Sequence, residues 1–320
     1  MKRILITGGA GFIGSHLAKT LAQAGHSVTI VDLNSSDQPL PGVQAIRGDV
    51  RSQADLVPLI KNTDVVFHWA AIVSVPECQN DPLGSYETNT HSTLKILDLI
   101  RAENETRDAA RKIRMIFSSS SAVYGAQSHE GVLSGPISER IPLPDPLSFY
   151  GGQKLASEQL IRLYARTYHL PSVIFRFFNV YGPGQKASSP YSGVISVFSK
   201  AVKIQEQLRL NGGGNQTRDF VSVHDIVRAC QAALASDNLS LLSGSPVNLG
   251  TGKAITIRHL AETLFELVGL NPQTQKVLVA PPRAGDIQHS LADVTRAREI
   301  LGWTAKVALR DGLRELLTGI

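Results

Sequence analysis

The feature that most constrains the fold stands at the start of the chain, where an apolar segment runs directly into closely spaced glycines. Arg3–Thr7 has the composition of a buried strand, and Gly8-Gly9-Ala10-Gly11-Phe12-Ile13-Gly14 follows it with G-x-x-G-x-x-G spacing. Such glycines permit a tight turn, let backbone approach a phosphate, and let the next helix pack close to the strand. The free N–H groups that open this helix can bind a dinucleotide pyrophosphate. The dinucleotide-binding residues predicted here are Gly8, Gly11, Phe12, Ile13 and Gly14.

Short apolar segments alternate with amphipathic ones as far as about residue 180. The candidate strands are residues 3–7, 27–32, 44–47, 65–69, 113–118 and 172–177. The candidate helices are residues 14–24, 82–102 and 149–169. This alternation predicts right-handed βαβ units and an α/β fold with a doubly wound parallel sheet, a Rossmann fold.

The pattern loosens after Gly182, where loops containing glycine and proline separate shorter elements. Residues 1–180 are therefore predicted to form the dinucleotide-binding domain, and residues of about 212–250 are predicted to return to it. Residues 181–320 are predicted to form largely a smaller, mixed α/β C-terminal lobe that binds the substrate.

Composition excludes several classes of function. Of the 320 residues, 42% are apolar, yet no apolar run reaches the roughly 18 residues of a membrane span, so we expect a cytoplasmic protein without a membrane partner. The net charge is +5, but the densest basic stretch, residues 101–114, is interleaved with acidic residues, which argues against nucleic-acid binding. Cys78 and Cys230 match no metal-ligand or redox spacing, and no metal is predicted.

The choice of dinucleotide depends on Asp32, which ends the second candidate strand. A carboxylate at this point can accept hydrogen bonds from the adenosine ribose hydroxyls and would repel a 2′-phosphate. No Arg or Lys lies between Val31 and Pro41 to offset that repulsion. The predicted cofactor is therefore NAD, and the alternative role for Asp32 is to cap the following turn.

A candidate catalytic pair lies at the start of the helix predicted at 149–169. Tyr150 and Lys154 are four residues apart, so they share one face of the helix. A nearby ammonium favours the tyrosinate, which lets the phenol act as a base near neutral pH. Upstream, four consecutive serines, residues 118–121, follow another candidate strand.

Together, the glycine loop, the serine segment and Y-x-x-x-K resemble the extended short-chain dehydrogenase/reductases that act on sugar nucleotides. Segments along nearly the whole chain extend the resemblance, with Trp69 and Ser92 departing from the usual Leu and Gly. These segments are Gly48-Asp49-Val50, His68-Trp69-Ala70-Ala71, Asn89-Thr90-His91-Ser92-Thr93, Arg176-Phe177-Phe178-Asn179-Val180-Tyr181-Gly182-Pro183, Arg218-Asp219-Phe220 and Arg283-Ala284-Gly285-Asp286.

The resemblance assigns roles residue by residue. It implies catalysis by Ser120, Tyr150 and Lys154, and a homodimer that packs the helix of the Y-x-x-x-K motif against its copy. The further cofactor contacts that it implies are Asn34, Asp49, Val50, Ala70, Ala71, Asn89, Tyr150, Lys154 and Phe178. The substrate contacts that it implies are Ser120, Tyr150, Asn179, Gly193, Val194, Arg209, Asn211, Arg218, Arg283, Asp286 and Ser290.

The residues after Ser120 bear on the reaction. Dehydratases of this family carry an Asp-Glu pair directly after the Ser or Thr, and its decarboxylases carry a Glu two positions after it, whereas this chain has Ser121 and Ala122. The resemblance therefore implies 4-epimerisation of a UDP-sugar through a 4-keto intermediate. Ser290 stands where a bulky Tyr restricts related enzymes to plain hexoses, so activity on UDP-GlcNAc/UDP-GalNAc is expected beside UDP-glucose/UDP-galactose.

Three alternatives remain open. A UDP-glucuronate 4-epimerase is the first, although the arginine that such enzymes carry after G-P is absent and Lys186 stands nearby. A 4-keto sugar-nucleotide reductase is the second, against which Asp32 argues because these enzymes usually take NADPH. A cofactor-binding redox sensor without chemistry is the third, and such proteins commonly lose the tyrosine or the lysine that this chain retains.

Overall fold

The computed structural model describes residues 1–34, 40–125, 135–141, 144–185, 193–238, 241–282 and 287–318. The strands of these ranges are β1 (Arg3–Thr7), β2 (Ser27–Asp32), β3 (Val43–Arg47), β4 (Val65–His68), β5 (Arg114–Ser120), β6 (Ser172–Phe177), β7 (Asn179–Tyr181), β8 (Arg209–Asn211), β9 (Thr217–Arg218), β10 (Phe220–Ser222), β11 (Ser243–Leu249), β12 (Ile255–Thr256) and β13 (Leu278–Ala280). The α-helices are α1 (Phe12–Gln23), α2 (Gln53–Lys61), α3 (Val75–Asn80), α4 (Pro82–Tyr86), α5 (Ser92–Glu105), α6 (Phe149–Tyr168), α7 (Val194–Lys203), α8 (Val223–Ala235), α9 (Ile257–Leu267), α10 (Thr295–Leu301) and α11 (Leu309–Thr318).

Seven of the described strands form one sheet in the order β11-β6-β5-β4-β1-β2-β3, and all neighbours are parallel. The predicted doubly wound Rossmann sheet is confirmed. The strand order reverses between β1 and β4, and ligands of such sheets bind at the carboxyl ends of the strands beside this switch point.

Both faces of the sheet are covered, because successive side chains of a strand point to opposite sides. Ile4 and Ile6 of β1 pack on the side of Leu17, on α1, together with residues of α8 and α10. Leu5 packs on the other side, with Ile96 of α5 and residues of α2 and α6. Because both faces of the sheet are buried, the strands consist almost entirely of apolar residues.

The segment predicted as one helix over 82–102 is instead divided. α4 is followed by a π-turn, Glu87–His91, before α5 begins. Two side chains of this wider turn contact α6. Asn89 Nδ2 donates to Gln153 Oε1 at 2.8 Å, and Thr90 Oγ1 donates to the Gln153 carbonyl at 3.1 Å. A regular α-helix would orient these two side chains differently. Side-chain contacts with α6 thus override the local periodicity, and π-turns of this kind are frequent at functional sites.

The later segments build a third apolar cluster, beside the two on the faces of the sheet. α7, α9 and α11 supply Phe198, Leu260 and Leu313, and β8 adds Leu210. Small two-stranded ladders join β7 to β10, β8 to β13 and β9 to β12. In contrast, α8 and β11 pack with the large sheet. The division of the chain into two domains stays a prediction. Among the helices described, none has the length and apolarity to cross a membrane.

Candidate active site

A cleft of about 730 Å³ runs along the carboxyl ends of the central strands. It extends from the end of β2 to the start of α6, and brings together residues far apart in the sequence. The predicted site residues that line it are Gly8, Gly11, Phe12, Ile13, Gly14, Asp32, Asn34, Asp49, Val50, Ala70, Ala71, Ser120, Tyr150, Lys154 and Phe178.

The glycine loop fits a dinucleotide because it leaves no room for side chains. Gly8 has φ +69°, and a Cβ on it would lie 2.7 Å from the backbone nitrogen of Ala70. A Cβ on Gly14 would lie 2.3 Å from the Gly8 carbonyl oxygen. α1 begins at Phe12 with no side-chain cap, so the first N–H groups of the helix remain available to an anion.

The end of the cleft at β2 and β3 carries three charged groups. Asp32 accepts hydrogen bonds from the backbone N–H of Ala10 at 3.1 Å and of Asn34 at 3.1 Å, which fixes its carboxylate at the cleft wall. Arg51, which the sequence analysis missed, also lines this end, and its guanidinium lies 2.7 Å from Asp49 and lowers the pKa of that carboxyl. Because Arg51 is already paired, this end retains the negative balance that suits NAD.

Ser120 and Tyr150 lie at the opposite end. Ser120 Oγ accepts the Ala122 N–H at 3.1 Å, which leaves its own hydroxyl proton available as a donor. Burial raises the pKa of Tyr150 to about 12, and the Ser120 hydrogen bond opposes that shift. The pair can exchange a proton with a hydroxyl placed in the cleft.

Lys154 lines the cleft, and protein groups contact its ammonium. Its Nζ donates to the Ser118 carbonyl at 2.8 Å and lies 4.7 Å from the centroid of the Phe117 ring. Burial lowers the pKa of Lys154 to about 7, since desolvation disfavours the charged form. The sequence analysis expected Lys154 to favour the tyrosinate, but burial is the largest effect on both groups and Ser120 is the group that opposes it at Tyr150.

The two glycines after Tyr150 have different surroundings. A Cβ on Gly151 would lie 2.6 Å from the Ala122 carbonyl oxygen, whereas one on Gly152 would meet nothing within 4 Å. Gly151 therefore allows α6 to approach the turn that follows Ser120 closely. This contact places the serine and the tyrosine on facing elements.

A buried histidine supports the cleft wall from behind. His68 is 1% exposed, with Nδ1 2.8 Å from Thr7 Oγ1 and Nε2 3.0 Å from Thr93 Oγ1. Thr7 Oγ1 accepts the N–H groups of Trp69 and Ala70, so its proton is directed to His68 Nδ1. The ring is therefore the neutral Nε2–H tautomer, and it fixes the segment that lines the cleft.

Protonation of His68 is expected to make the protein acid-sensitive. Burial lowers the pKa of His68 to about 3, against about 6.5 in an unfolded chain. The unfolded state thus binds the proton first, so stability is full above about pH 6.5 and falls as the pH drops towards 3. We expect this histidine to contribute about 2 kcal/mol to the loss in the free energy of unfolding between pH 7 and pH 5.

Urea unfolding at both pH values tests this expectation. His68→Gln should show a loss smaller by about 2 kcal/mol than the wild type, whereas His259→Gln, at an exposed helix position, should behave as the wild type. Equal losses in wild type and His68→Gln would contradict the assignment.

Asn89 lies behind the wall and does not line the cleft. Its Oδ1 accepts the Ile72 N–H at 2.8 Å and its Nδ2 donates to the Ile72 carbonyl at 3.0 Å. Ile72 itself lines the cleft. Asn89 thus supports a wall residue through its amide, and its direct contact with the cofactor stays a prediction.

A second cavity, of about 460 Å³, contains other predicted substrate residues. The members that line it are Asn179, Val194, Arg209, Asn211 and Arg218. Arg218 donates to the Ile287 carbonyl at 2.6 Å, which fixes its guanidinium on the segment after the R-x-G-D stretch. Two arginines in one cavity suit an anionic group such as a diphosphate.

The remaining substrate residues lie elsewhere. Gly193 caps the start of α7, where a Cβ would lie 3.5 Å from Gln185 Nε2. Ser290 is 5% exposed, and its N–H donates to the Thr217 carbonyl at 3.2 Å, so it lines neither cavity. Arg283 and Asp286 lie outside the described residues.

Comparisons with known proteins agree with this geometry. The family model "NAD dependent epimerase/dehydratase family" matches residues 4–250. The chain is 33% identical to the UDP-glucose 4-epimerase of Mycolicibacterium smegmatis, over 97% of the chain and 96% of that protein. A UDP-glucose 4-epimerase from Thermotoga maritima, solved with UDP-glucose, superposes with TM-score 0.87 at 32% identity, covering 99% of this chain and 98% of that one.

A further solved relative differs in its sugar. The UDP-glucuronic acid 4-epimerase of Bacillus cereus, solved as a mutant with NAD and a fluorinated UDP-glucuronic acid, superposes with TM-score 0.83 at 30% identity, covering 99% of this chain and 98% of that one. The similar proteins therefore share a UDP-sugar and differ in which sugar it carries.

Proposed function

The chain belongs to the NAD-dependent epimerase/dehydratase family, and from this premise we propose that it is a UDP-hexose 4-epimerase. The proposed reactions interconvert UDP-glucose with UDP-galactose and UDP-GlcNAc with UDP-GalNAc. The observation that carries the proposal is that Ser120 and Tyr150 line the same NAD cleft, with Ser120 followed in sequence by Ser121 and Ala122. Neither of these two residues can supply the acid–base group of a dehydratase or decarboxylase.

In the proposed mechanism the protein moves one proton out and back. Tyr150 takes the proton of the C4 hydroxyl, directly or through Ser120, and returns it after the sugar presents its other face. The Ser120 hydroxyl donates to the phenol oxygen and so favours the basic form. Bound NAD would supply hydride acceptance and return at C4.

Other residues hold the reactants. The first turn of α1 and the glycine loop would bind the NAD pyrophosphate, Asp32 would bind the adenosine ribose, and Lys154 would bind the nicotinamide ribose. Arg209 and Arg218 line the second cavity and would hold the UDP diphosphate. A diphosphate held by two arginines leaves the sugar ring free to turn over between the two half-reactions.

The extension to N-acetylated sugars rests on Ser290. Ser290 stands where related enzymes restricted to plain hexoses carry a tyrosine, and because it lines neither described cavity, this extension rests on the sequence resemblance alone. The homodimer and the cytoplasmic location stay predictions.

Purified protein incubated with UDP-glucose, UDP-GlcNAc or UDP-glucuronate, without added NAD, tests the proposed function by chromatography of the products. We expect C4 epimers of the first two, formed with NAD that copurifies and is regenerated in each cycle. Absence of any C4 epimer when NAD is also supplied would contradict the proposal, and 4-keto sugars with NADPH would then be tested as substrates.

A further inference from the structure

A buried glutamine lies between the two residues of the Y-x-x-x-K motif. Gln153 is 6% exposed and lies on α6, three residues after Tyr150 and directly before Lys154. Residues three apart share one face of a helix, so Gln153 shares the face of Tyr150. The motif accepts any residue at this position, and no role for Gln153 follows from it.

The side-chain amide of Gln153 has a partner for each of its polar atoms. Its Nε2 donates to Ser85 Oγ at 2.8 Å and to the Pro82 carbonyl at 3.2 Å, both on α4. Its Oε1 accepts from Asn89 Nδ2 at 2.8 Å. A carbonyl can only accept, so Nε2 must face Pro82 and Oε1 must face Asn89. The contacts with α4 thus fix which end of the amide meets Asn89.

Asn89 connects Gln153 to the wall of the cleft. It is 1% exposed, its Oδ1 accepts the Ile72 N–H at 2.8 Å, and its Nδ2 donates to the Ile72 carbonyl at 3.0 Å. One Nδ2 hydrogen therefore goes to Ile72 and the other to Gln153. Without Gln153, the second hydrogen would keep, among the described residues, only Cys78 Sγ, a weak acceptor at 3.7 Å. Because an unsatisfied buried N–H costs free energy, the amide would be held less firmly on Ile72.

We propose that Gln153 is a positioning residue of the NAD site, which holds the Asn89 amide in the orientation that fixes Ile72. Ile72 lines the NAD cleft, and its backbone N–H and carbonyl are the two groups that Asn89 binds. A wall segment that shifts would lose contacts with bound NAD, so NAD should leave faster. The expected effect on epimerisation rests on the proposed function, whereas the expected effect on NAD release does not.

The test measures the rate of NAD release from Gln153→Met, which keeps nearly the volume of the side chain and removes its hydrogen bonds. Asn104→Leu is the matched control, because Asn104 is a buried amide with the same pattern: its Oδ1 accepts the Ile113 N–H at 2.6 Å and its Nδ2 donates to the Ile113 carbonyl at 3.2 Å. Ile113 directly precedes β5, at the end of the sheet opposite the cleft. Protein loaded with NAD is diluted, and an auxiliary NAD-dependent dehydrogenase detects the NAD that is released.

Gln153→Met is expected to release NAD about 2- to 10-fold faster than the wild type, the effect of about one hydrogen bond. Asn104→Leu should release NAD at the wild-type rate, although urea unfolding should show that both variants are less stable. Ser85→Ala, a smaller change that removes one partner of the Gln153 amide, should also speed release. It keeps the inference testable if Gln153→Met does not fold.

A double-mutant cycle tests whether Gln153 acts through Asn89. Asn89→Ala alone should speed NAD release, and adding Gln153→Met to it should have no further effect. In the epimerisation assay, diluted Gln153→Met should lose activity as NAD leaves, and added NAD should prevent the loss. The KM for UDP-glucose should match that of the wild type, because neither Gln153 nor Asn89 is among the described residues that line the second cavity.

Three outcomes overturn the inference while the proposed function stands. They are wild-type NAD release from Gln153→Met, equally fast release from Gln153→Met and Asn104→Leu, and independent effects of Gln153→Met and Asn89→Ala in the cycle. If no sugar is epimerised by the wild type, the proposed function fails, and the rates of NAD release still decide whether Gln153 holds the wall of the NAD site.

Discussion

Tyr150→Phe is expected to lower the rate of C4 epimerisation by about 10²- to 10⁴-fold, the usual contribution of a positioned general acid–base group. The variant removes only the phenol oxygen of a residue that lines the NAD cleft together with Ser120. Steady-state rates with UDP-glucose measure the effect.

Tyr168→Phe is the matched control, because it deletes the same hydroxyl from the last residue of the same helix, where the side chain is 48% exposed. It should retain the wild-type rate. Both variants should bind NAD as the wild type does, which protein-bound NAD content after gel filtration would show. A rate for Tyr150→Phe above a tenth of the wild-type rate would remove Tyr150 from the proposed role.

Glu158→Ala is expected to reduce the free energy of unfolding by about 3–5 kcal/mol, the typical cost of removing one partner of a buried ion pair. Glu158 is 1% exposed and accepts from Arg176 Nη2 at 2.6 Å, Arg176 Nε at 2.9 Å and Ser119 Oγ at 2.5 Å. The variant leaves the Arg176 guanidinium buried, 4.7 Å from the Tyr124 ring, with no counter-charge from Glu158. The loss is therefore mainly the cost of a buried, unpaired cation.

Urea unfolding at pH 7 measures this loss. Glu266→Ala is the control, since Glu266 pairs with Arg310 at 2.5 Å on the surface, where such a pair contributes about 0–1 kcal/mol. A similar small loss for both variants would show that the buried pair adds little. Because Ser119 precedes Ser120, the proposed catalytic serine, Glu158→Ala is also expected to lower the epimerisation rate of the protein that remains folded.

The cofactor-binding part of the site could be predicted from the sequence, because it depends on segments that follow one another in the chain. A strand, a glycine turn and a helix that follow one another in the chain can meet only at one end of the strand, and parallel strands bring their carboxyl ends to the same edge. Gly8, Gly14 and Asp32 therefore had to lie together, and the structure places all three on the cleft. The i, i+4 spacing likewise placed Tyr150 and Lys154 on one helical face.

Only the tertiary structure decided which of the remaining groups face the cleft and in what protonation state. The Asn89 amide is hydrogen-bonded to Ile72, which lies 17 residues away in sequence, so Asn89 does not line the cleft. Glu77 and Arg51 do line the cleft, and no sequence motif predicted that they would. Burial, which no local pattern reports, raised the pKa of Tyr150 and lowered that of Lys154. Motifs in the sequence thus determined which chemical groups are present, and contacts between distant segments determined their desolvation and their partners.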